Sequence, residues 1–407
     1  MAYTWDILSK RVERFRSGQP LSGHMLFVIQ HVLDDLVELI NAFITLGCDP
    51  SDITVIGIPY SSRKNAGDSI GTTGCQVVLP AVFPMEGIVG RLLNDAVSKS
   101  TSQNKPLIVL EDGGYAVPQL SQLAKEKLVP ITSVKGAVEQ TTRGKWLAER
   151  INGDGYLALP VISIPDCGTK KNVEPPYIAL AAVNNLQDLL NHVEPGRNVG
   201  TVGVYGFGTI GSYVANHFRK NGATVHVYDT VAEGRYRARL AGYTELEKAT
   251  IQQCELVIGA TGSTSIGPAA ILSLKDGALV GSMSSRQIEI DMDYLNNRAP
   301  RPTPIGPQAR SVLPIRAGQR HTLAQSGSSK TLTVLYDGYP LNFWGTSLPD
   351  HVSDAVLSLL LEGVLALATG SHHPGIHSGA TVLEEADIEI TQMFRQIEDR
   401  LGLKMAS

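Results

Sequence analysis

The pattern of apolar and polar residues predicts strands that alternate with helices along most of the chain. Short apolar runs that end in polar or glycine-rich turns predict buried strands at residues 53–57, 106–110 and 157–165. Longer stretches with a helical period predict helices at residues 26–46 and 177–192. Alternation of this kind is typical of an α/β domain with a largely parallel sheet.

The second half of the chain shows the same alternation. Further strands are predicted at residues 254–260, 278–281 and 331–336, and residues 347–369 have the pattern of another long amphipathic helix. Residues 300–328 are rich in Pro, Gly, Ser and Arg and predict a surface loop or an irregular hairpin. These elements are enough for a second α/β domain.

The order of the elements predicts that one domain is inserted into the other. We expect two α/β domains, each with a largely parallel sheet flanked by helices. The outer domain is split: its first part is residues 1–190, and C-terminal helices in residues 346–407 return to it. The inserted domain is residues 191–345. A chain of 407 residues is long enough for both to have a core of their own.

Three glycines directly after a predicted strand form the most informative motif. Gly206, Gly208 and Gly211 form G-x-G-x-x-G after the apolar residues 202–205. The first glycine allows a tight turn, the second lets the backbone approach a pyrophosphate, and the third lets the next helix pack closely on the strand. A helix that begins near Thr209 would direct its free N–H groups at that anion. The motif therefore predicts a Rossmann domain.

An acidic residue ends the next predicted strand, where a dinucleotide-binding domain needs one. Asp229 lies 21 residues after Gly208 and is expected to bind the ribose 2′-OH, which favours NAD over NADP. Thr209 and Ile210 open the helix beside the expected pyrophosphate. A glycine-rich turn alone is common, but the strand, the helix and the acid together predict bound NAD.

Composition describes a soluble globular protein and excludes several classes of function. Apolar residues are 43% and charged residues 18% of the chain, and the net charge is −4, so neither nucleic acid nor a membrane is an expected partner. No apolar run of about 18 residues is present, and the N-terminal sequence is charged and amphipathic. The four cysteines lack C-x-x-C spacing, which argues against a zinc site or a disulfide framework and favours the cytoplasm.

Four polar clusters in the outer domain are candidates for chemistry. Three of them follow predicted strands or open a helix: residues 111–114 (EDGG), 139–144 (EQTTRG) and 166–174 (DCGTKKNVE). The fourth is His31, on the predicted helix 26–46. The carboxyl ends of parallel strands are where α/β proteins bind ligands. Each cluster also has a plainer interpretation: an acidic turn, a helix cap, a solvated loop and a structural histidine.

Together the clusters suit alcohol oxidation followed by removal of a proton beside the new ketone. Lysine and histidine act as general bases when burial brings their pKa towards neutrality. A carboxylate can then remove the C–H proton that the ketone acidifies. The histidines show no convincing pairing with acids on a helix face, so no metal site is expected.

In their order and spacing, these motifs resemble the S-adenosylhomocysteine hydrolase family. Further matching pieces are residues 260–262 (ATG), 288–291 (IEID) and 337–342 (DGYPLN), and the resemblance extends over roughly residues 28–380. It implies tightly bound NAD and a homotetramer. It also implies a reaction that oxidises the ribose 3′-OH, abstracts the 4′ proton, eliminates homocysteine, adds water and reduces the ketone again.

The resemblance implies catalytic roles for four residues of the outer domain, which it identifies as the substrate-binding domain. Lys170 would assist oxidation of the 3′-OH, Asp112 would remove the 4′ proton, and His31 would transfer protons at the 5′ position. Glu174 stands where the family has an aspartate and would still reach a ribose hydroxyl. Three more residues of this domain are expected to bind substrate: Asp35, Gln140 and Thr169.

The cofactor contacts implied by the resemblance come from both predicted domains. Thr141 and Thr142 would contact the nicotinamide side of NAD. In the inserted domain, Asn342 would bind the nicotinamide amide, and Thr261 would also contact the cofactor.

Several residues depart from the family pattern. Gln140 replaces an active-site glutamate, so an amide stands where the family has a carboxylate, and Pro175 and Ser285 replace an asparagine and a histidine. The sequence ends at LGLKMAS, a few tens of residues short of the family's Lys- and Tyr-bearing tail. We therefore expect NAD to exchange more readily and the tetramer to be altered or lost.

These departures leave three hypotheses open. The first is a divergent NAD-dependent enzyme that uses transient 3′-oxidation of a ribonucleoside or thioether nucleoside other than S-adenosylhomocysteine. The second is a true S-adenosylhomocysteine hydrolase of a remote branch. The third is a catalytically inactive regulator that binds NAD or a nucleoside. We favour the first because Lys170, Asp112, His31 and the NAD motif are kept, and we expect a cytoplasmic homo-oligomer, either a dimer or a tetramer.

Overall fold

The computed structural model describes residues 3–126, 131–325 and 328–403. Two residues of the predicted loop or hairpin, Ser326 and Gly327, and the last four residues of the predicted C-terminal end lie outside the described residues.

Strands and helices alternate along the described residues. In chain order the strands are β1 (Met25–Gln30), β2 (Ile53–Gly57), β3 (Gln76–Val78), β4 (Leu107–Glu111), β5 (Val134–Glu139), β6 (Pro160–Ser163), β7 (Thr201–Tyr205), β8 (Thr224–Tyr228), β9 (Thr244–Glu245), β10 (Leu256–Gly259), β11 (Ala278–Ser282), β12 (Thr303–Gln308), β13 (Arg316–Gln325), β14 (Ser328–Leu335) and β15 (Gly375–Ser378). In chain order the helices are α1 (Asp6–Phe15), α2 (Leu36–Thr45), α3 (Lys64–Gly71), α4 (Glu86–Gln103), α5 (Val117–Lys125), α6 (Thr142–Gly153), α7 (Glu174–Val193), α8 (Thr209–Lys220), α9 (Ala232–Leu240), α10 (Lys248–Ile251), α11 (Pro268–Ser273), α12 (Met292–Arg298), α13 (Asp350–Thr369), α14 (Gly379–Val382) and α15 (Glu384–Leu401).

The chain divides into two compact units. Unit 1 consists of Met1–Glu174, Ser311–Leu313 and Pro349–Ser407, and unit 2 of Pro175–Arg310 and Pro314–Leu348. Helix α7 therefore belongs almost entirely to unit 2, whereas our predicted boundary follows residue 190.

Unit 1 is built on a seven-stranded sheet in the order β15-β6-β5-β4-β1-β2-β3, with every neighbouring pair parallel. The chain runs outward from β1 through β2 to β3, then returns to β4 and continues outward on the other side. The strand order therefore reverses between β1 and β4, and such a switch point is where open α/β sheets bind ligands at the carboxyl edge.

The predicted helix at residues 26–46 is wrong in its first part. Residues Met25–Gln30 form β1, and the helix α2 begins only at Leu36. All six residues of β1 are buried, because parallel neighbours flank the strand and both faces are covered. A strand buried on both faces has a continuous apolar run that merges with the helical period after it. His31 thus follows the end of a strand and does not lie on a helix.

A second correction concerns the long helix near the C-terminus. Residues 347–369 were predicted to be amphipathic, but α13 (Asp350–Thr369) is buried almost all round in the core of unit 1. Among the described residues this helix alone of those tested is long and apolar enough to cross a membrane, yet 83% of its apolar window is buried in the structure. An apolar helix surrounded by its own protein is a core helix.

Unit 2 contains an eight-stranded sheet in the order β12-β13-β14-β11-β10-β7-β8-β9. The strands from β14 to β9 pair in parallel, whereas β12 and β13 extend the sheet with antiparallel pairing. Of the two structures predicted for residues 300–328, a surface loop or an irregular hairpin, the described residues therefore form the hairpin. Strand order reverses between β7 and β10, beside the glycine motif. The predicted α/β fold class with two largely parallel sheets and a Rossmann domain is confirmed.

Candidate functional site

The glycine motif forms the turn between β7 and α8 in unit 2. Gly206 has φ +96°, and a Cβ there would lie 2.4 Å from the Ala260 carbonyl oxygen. A Cβ on Gly211 would lie 2.0 Å from the Gly206 carbonyl oxygen, so neither position accepts a side chain without a backbone shift. A Cβ on Gly208 would meet no described atom within 4 Å, which leaves the backbone there open to a ligand.

The first residues of α8 complete an anion site of the kind a pyrophosphate requires. Helix α8 begins at Thr209, and Gly208 and Thr209 are exposed while Ile210 is half-buried. The first N–H groups of a helix have no partners within the helix and point along its axis. The turn therefore fits the dinucleotide that the motif predicts.

Asp229 lies directly after β8 and contacts the glycine turn. Its carboxylate accepts hydrogen bonds from the backbone N–H of Phe207 (2.6 Å) and of Val231 (2.8 Å). These bonds orient the carboxylate beside the turn and leave it further lone pairs for a ribose hydroxyl. The position is the one expected for the acid of an NAD-binding domain.

A buried glutamate organises the loop that contains Thr261. Glu289 accepts hydrogen bonds from the backbone N–H groups of Thr261 (2.5 Å) and Gly262 (2.6 Å) and from the Thr261 hydroxyl (2.9 Å). The hydroxyls of Ser265 and Ser284 donate to the same carboxylate. The segment 288–291 resembles the family in sequence, but no spacing or composition marks Glu289 as the acceptor of these bonds.

Asn342 is buried in unit 2, at a turn that another asparagine supports. Its amide nitrogen donates to the Ser347 hydroxyl at 3.1 Å. Asn185 on α7 donates to the backbone carbonyls of Leu341 (3.2 Å) and Asn342 (3.0 Å). The turn that carries Asn342 is thus attached to α7, and its predicted contact with nicotinamide stays a prediction.

In unit 1, residues predicted to be catalytic or to bind substrate lie at one edge of the sheet. His31 follows β1, Asp112 follows β4 and Gln140 follows β5, and these three strands are neighbours. His31 Nε2 lies 3.7 Å from Asp112 Oδ2. The pair therefore lies at the point where the strand order reverses.

A buried serine contacts the other nitrogen of the histidine. Ser61 Oγ forms a hydrogen bond with His31 Nδ1 and lies 3.1 Å from the Ile58 carbonyl oxygen. Burial, and to a lesser extent the charge of Lys170, lowers the pKa of His31 to about 3, so the imidazole is neutral near pH 7. Sequence reasoning missed Ser61, which lies 30 residues away in the loop after β2.

Lys170 and Glu174 form an ion pair close to this histidine. They lie one helical turn apart, Lys170 in a π-helical turn (Thr169–Val173) and Glu174 at the start of α7. Their side chains are 10% and 8% exposed. Both charges act on the pKa of His31, that of Lys170 lowering it and that of Glu174 raising it. The structure thus brings Lys170, Glu174, His31 and Asp112 together, although the segment of Lys170 was open to interpretation as a solvated loop.

The threonines predicted to bind ligands are mostly engaged by their own unit. The Thr141 hydroxyl donates to Glu139 Oε1 (2.6 Å) and accepts from the backbone N–H of Gly144 (3.1 Å), so Thr141 caps α6. Thr142 is exposed at the first position of that helix. Thr169 is fully buried, and its hydroxyl donates to Asp387 at 2.6 Å. Predicted contacts of these threonines with NAD or substrate stay predictions.

The amide that replaces the family glutamate is paired with a second amide. Gln30, at the end of β1, donates from Nε2 to Oε1 of Gln140 at 2.7 Å. Gln30 is 5% exposed and Gln140 is half-buried. The Gln140 amide nitrogen therefore has the freedom to donate to a ligand.

Two buried glutamates, Glu111 and Glu139, are neighbours of Asp112. The Glu111 carboxylate accepts hydrogen bonds from three successive backbone N–H groups, those of Tyr115 (2.7 Å), Ala116 (2.5 Å) and Val117 (3.1 Å). The Glu139 carboxylate accepts hydrogen bonds from the backbone N–H groups of Gly114 (3.0 Å) and Thr141 (2.6 Å). Burial raises the pKa of Glu111, with Asp112 adding to the shift, and burial with the charge of Glu111 raises that of Glu139 well above its ordinary value. These two residues were inside our polar clusters but had no assigned role.

Asp35 lies immediately before α2 in unit 1. Its carboxylate forms a hydrogen bond with the Ser353 side chain on α13, and burial raises its pKa. Its predicted role in substrate binding stays a prediction. Among the described residues, no group of three or more His, Cys, Asp or Glu residues is placed to bind a metal ion.

Comparison with known proteins gives a consistent set of relatives. A family model described as the NAD-binding domain of S-adenosyl-L-homocysteine hydrolase matches residues 195–328. An adenosylhomocysteinase of Gloeothece citriformis is 27% identical over 394 residues, covering 94% of this chain and 84% of that protein. An S-inosyl-L-homocysteine hydrolase of Methanosarcina mazei is 25% identical over 294 residues, covering 70% and 67%. An uncharacterised protein of Mycobacterium tuberculosis is 27% identical over 385 residues, covering 90% and 69%.

Among solved structures, a transhydrogenase of Sinorhizobium meliloti matches with a TM-score of 0.39 and 13% identity, over 86% of this chain and 98% of that one. The stretch matched by the family model contains the glycine turn, Asp229 and Glu289. NAD is the cofactor of this domain, and the turn fits it as described above. The chain is thus similar to the S-adenosyl-L-homocysteine hydrolase family over most of its length, and its residues 195–328 match the NAD-binding domain of that family.

Proposed function

We propose that this protein is an NAD-dependent enzyme that transiently oxidises the 3′-OH of a ribonucleoside or thioether nucleoside. The observation that carries the proposal is the convergence of His31, Asp112 and the Lys170–Glu174 pair at one edge of the unit 1 sheet. A neutral imidazole, a carboxylate and a buried ion pair are the groups that two successive proton transfers require.

The first chemical step is the oxidation of the alcohol. NAD, when bound, supplies the hydride acceptor for the hydrogen on C3′. Lys170 and Glu174 place an ammonium and a carboxylate side by side, so the pair can accept the hydroxyl proton and return it in the reverse step. Their burial excludes water from the alcohol and strengthens the interaction.

Proton removal and elimination follow at the neighbouring carbons. The 3′-ketone acidifies the C4′–H bond, and Asp112 accepts that proton. The electron pair left on C4′ forms a double bond to C5′ as the bond from C5′ to its substituent breaks. The proton that Asp112 has accepted passes through the neutral imidazole of His31 to the departing group at C5′, and a proton returns by the same route from the water or other nucleophile that adds there.

We propose the substrate as a chemical class, a ribonucleoside or thioether nucleoside, without assigning its base or its 5′ substituent. Relatives are named as hydrolases of S-adenosyl-homocysteine and of S-inosyl-homocysteine, so the base varies among them. The Gln30–Gln140 amide pair supports a substrate other than that of the glutamate-bearing enzymes, because an amide donates as well as accepts. That the protein is a cytoplasmic homo-oligomer, a dimer or a tetramer, stays a prediction, and sedimentation would test the oligomeric state.

The test is a spectroscopic titration of the NAD-loaded protein with adenosine, inosine, S-adenosylhomocysteine and S-inosylhomocysteine. We expect the near-ultraviolet absorbance band of NADH to rise with at least one of them. Lys170→Met should reduce the rate of this rise by about a hundredfold or more, the usual contribution of a general acid or base. Lys171→Met is the matched control, because Lys171 is the adjacent lysine and its side chain is 58% exposed.

An inactive regulator is the second candidate, favoured by the loss of a carboxylate at Gln140. It predicts that a nucleoside binds by calorimetry while the NADH band stays absent with every compound. A band of equal rate in wild type and Lys170→Met would contradict the proposed role of the lysine.

A further inference from the structure

The turn that carries Lys170 is attached to a residue far away in the sequence. Asp387, in the first turn of α15, accepts hydrogen bonds from the backbone N–H groups of Gly168 (2.5 Å) and Thr169 (2.9 Å). Its Oδ1 also accepts from the Thr169 hydroxyl (2.6 Å). Asp387 is 8% exposed and Thr169 is fully buried, so water does not compete for these bonds.

The two N–H groups are those that a helical segment leaves without partners. A continuous helical stretch starts at Thr169 with the π-helical turn and continues into α7. The first N–H groups of such a stretch need an acceptor, which a neighbouring Ser, Thr, Asp or Asn usually supplies as N-cap. Gly168 has no side chain to supply one, and the Asp387 carboxylate takes its place from α15.

We propose that Asp387 is a positioning residue for Lys170, fixing the turn so that the lysine lies in register with Glu174 and the reacting hydroxyl. The proposal rests on the proposed function of Lys170. The attachment acts through the backbone: Lys170 directly follows the residue that Asp387 binds twice, so a shift of this turn moves the ammonium group. A displacement of about 1 Å in a reacting group can reduce a rate by a factor of 100.

The variant Asp387→Asn tests this with minimal change in shape. Asparagine has one acceptor oxygen, so its amide N–H₂ would face a backbone N–H where the second oxygen was. We expect the rate of NADH-band formation to fall roughly ten- to a hundredfold. Glu385→Gln is the matched control, because Glu385 also lies in the first turn of α15 and its side chain is exposed.

A second readout reports the lysine without relying on turnover. Lys170 is modified with acetic anhydride and the rate is followed by mass spectrometry, with Lys99 in the same unit as the internal reference. In wild type, burial and the pair with Glu174 should keep Lys170 slow. Asp387→Asn should speed its modification several-fold relative to Lys99, and Glu385→Gln should not.

The outcomes separate this proposal from the proposed function. If wild type oxidises a nucleoside and Asp387→Asn changes neither readout, or only one, the positioning role is overturned. If wild type forms no NADH band, the proposed function fails and the modification rate of Lys170 alone decides whether Asp387 anchors the turn. If Asp387→Asn does not fold, Thr169→Val replaces it: this variant keeps both backbone bonds, so it should shift the modification rate the same way by a smaller factor, and an unchanged rate contradicts the proposal.

Discussion

Each unit has a buried glutamate that binds loops at the carboxyl edge of its sheet, Glu139 in unit 1 and Glu289 in unit 2, but these two glutamates have different surroundings. Glu139 in unit 1 is 1% exposed, and Glu289 in unit 2 is fully buried. Each accepts hydrogen bonds from backbone N–H groups of a loop that contains glycine, and each accepts from a threonine hydroxyl.

The difference lies in the other neighbours. Glu139 is close to Glu111 and Asp112, whose negative charges add to burial in raising its pKa. Glu289 is surrounded by hydroxyl donors instead, from Thr261, Ser265 and Ser284. In unit 1, three carboxylates lie close together where proton transfer is proposed. In unit 2, one carboxylate is bound by hydroxyl donors in the loops next to the glycine turn. We therefore propose that similar loop geometry supports proton transfer in unit 1 and cofactor binding in unit 2.

The largest effect on ligand binding is expected from replacing Glu289, the glutamate of unit 2 that accepts several hydrogen bonds. Glu289→Ala removes the acceptor of the part-buried Thr261 N–H group and one of the two acceptors of the Gly262 N–H group, which also donates to Ser284 Oγ at 3.0 Å. A lost hydrogen bond to a charged group costs about 1.5–3 kcal/mol. Because these loops lie at the carboxyl edge beside the glycine turn, we expect the affinity for NAD to fall by about a hundredfold. Isothermal titration with NAD measures it.

Glu139→Ala is the matched comparison, since it removes an equivalent acceptor from unit 1. It should leave NAD affinity within about threefold of wild type while slowing formation of the NADH band. Equal losses of NAD affinity in the two variants would show that the two glutamates do not serve separate units. Thermal unfolding confirms that each variant is folded, and Glu289→Gln replaces the alanine variant if it is not.

The crowded carboxylates of unit 1 predict a pH dependence of stability. Because the pKa of Glu139 is raised in the folded protein, the folded state keeps a proton that the unfolded chain releases above its ordinary pKa of 4.5. The unfolded state then binds fewer protons, so the contribution of Glu139 to the free energy of unfolding falls as the pH rises above 4.5. Below that pH the contribution is fully present.

Glu139→Gln should make this decline shallower. We expect the variant to be less stable than wild type by about 1–3 kcal/mol at pH 4, since one acceptor is lost, and the difference to narrow towards pH 8. Urea unfolding across this pH range measures it, with Glu385→Gln, an exposed carboxylate of the same unit, as control. A constant difference from pH 4 to pH 8 would contradict the raised pKa.

The sequence predicts the cofactor turn because its determinants lie close together. Gly206, Gly208 and Gly211 span six residues, and local backbone geometry requires glycine at the first and third of them, while Gly208 leaves the backbone open to a ligand. The polar clusters after β4 and β5 were also predictable, since strand ends in a parallel sheet meet at one edge. What the pattern lacks is the orientation of neighbouring side chains: Glu111 and Asp112 are adjacent, yet one caps α5 and the other lies beside His31.

Hydrogen bonds between residues far apart in the sequence could not be predicted for the same reason. Asp387 binds Thr169 across 218 residues, and Ser61 binds His31 across 30, with no spacing or composition to mark either pair. His31 itself was placed on a helix because the apolar run of β1 continues into the apolar face of α2. Length could have separated them, since a strand of six residues ends at Gln30, where Gln30 and His31 interrupt the apolar run.

A smaller effect is expected at the serine that contacts His31. Ser61→Ala removes the partner of Nδ1, so the imidazole loses its fixed orientation towards Asp112. Because His31 is proposed to act at C5′ and not in the oxidation, release of the 5′ substituent should slow about tenfold while formation of the NADH band is unchanged. Stopped-flow absorbance and a thiol assay follow the two steps separately, and Ser69→Ala, an exposed serine on α3, is the control. Equal slowing of both steps would assign Ser61 a general structural role.

The smallest effect is expected from restoring the carboxylate at position 140. In Gln140→Glu, Gln30 can still donate to the side chain, but a fourth carboxylate joins Glu111, Asp112 and Glu139. A charged acceptor bonds a ribose hydroxyl about twice as strongly as an amide does, and repulsion among the carboxylates offsets part of that gain. We expect the preference for adenosine over 2′-deoxyadenosine to rise only about three- to tenfold, measured by competitive binding, with Gln103→Glu as a control that adds the same charge at an exposed position of unit 1. An unchanged preference would place Gln140 outside the ribose contacts, and the amide pair would then belong to the support of the sheet edge.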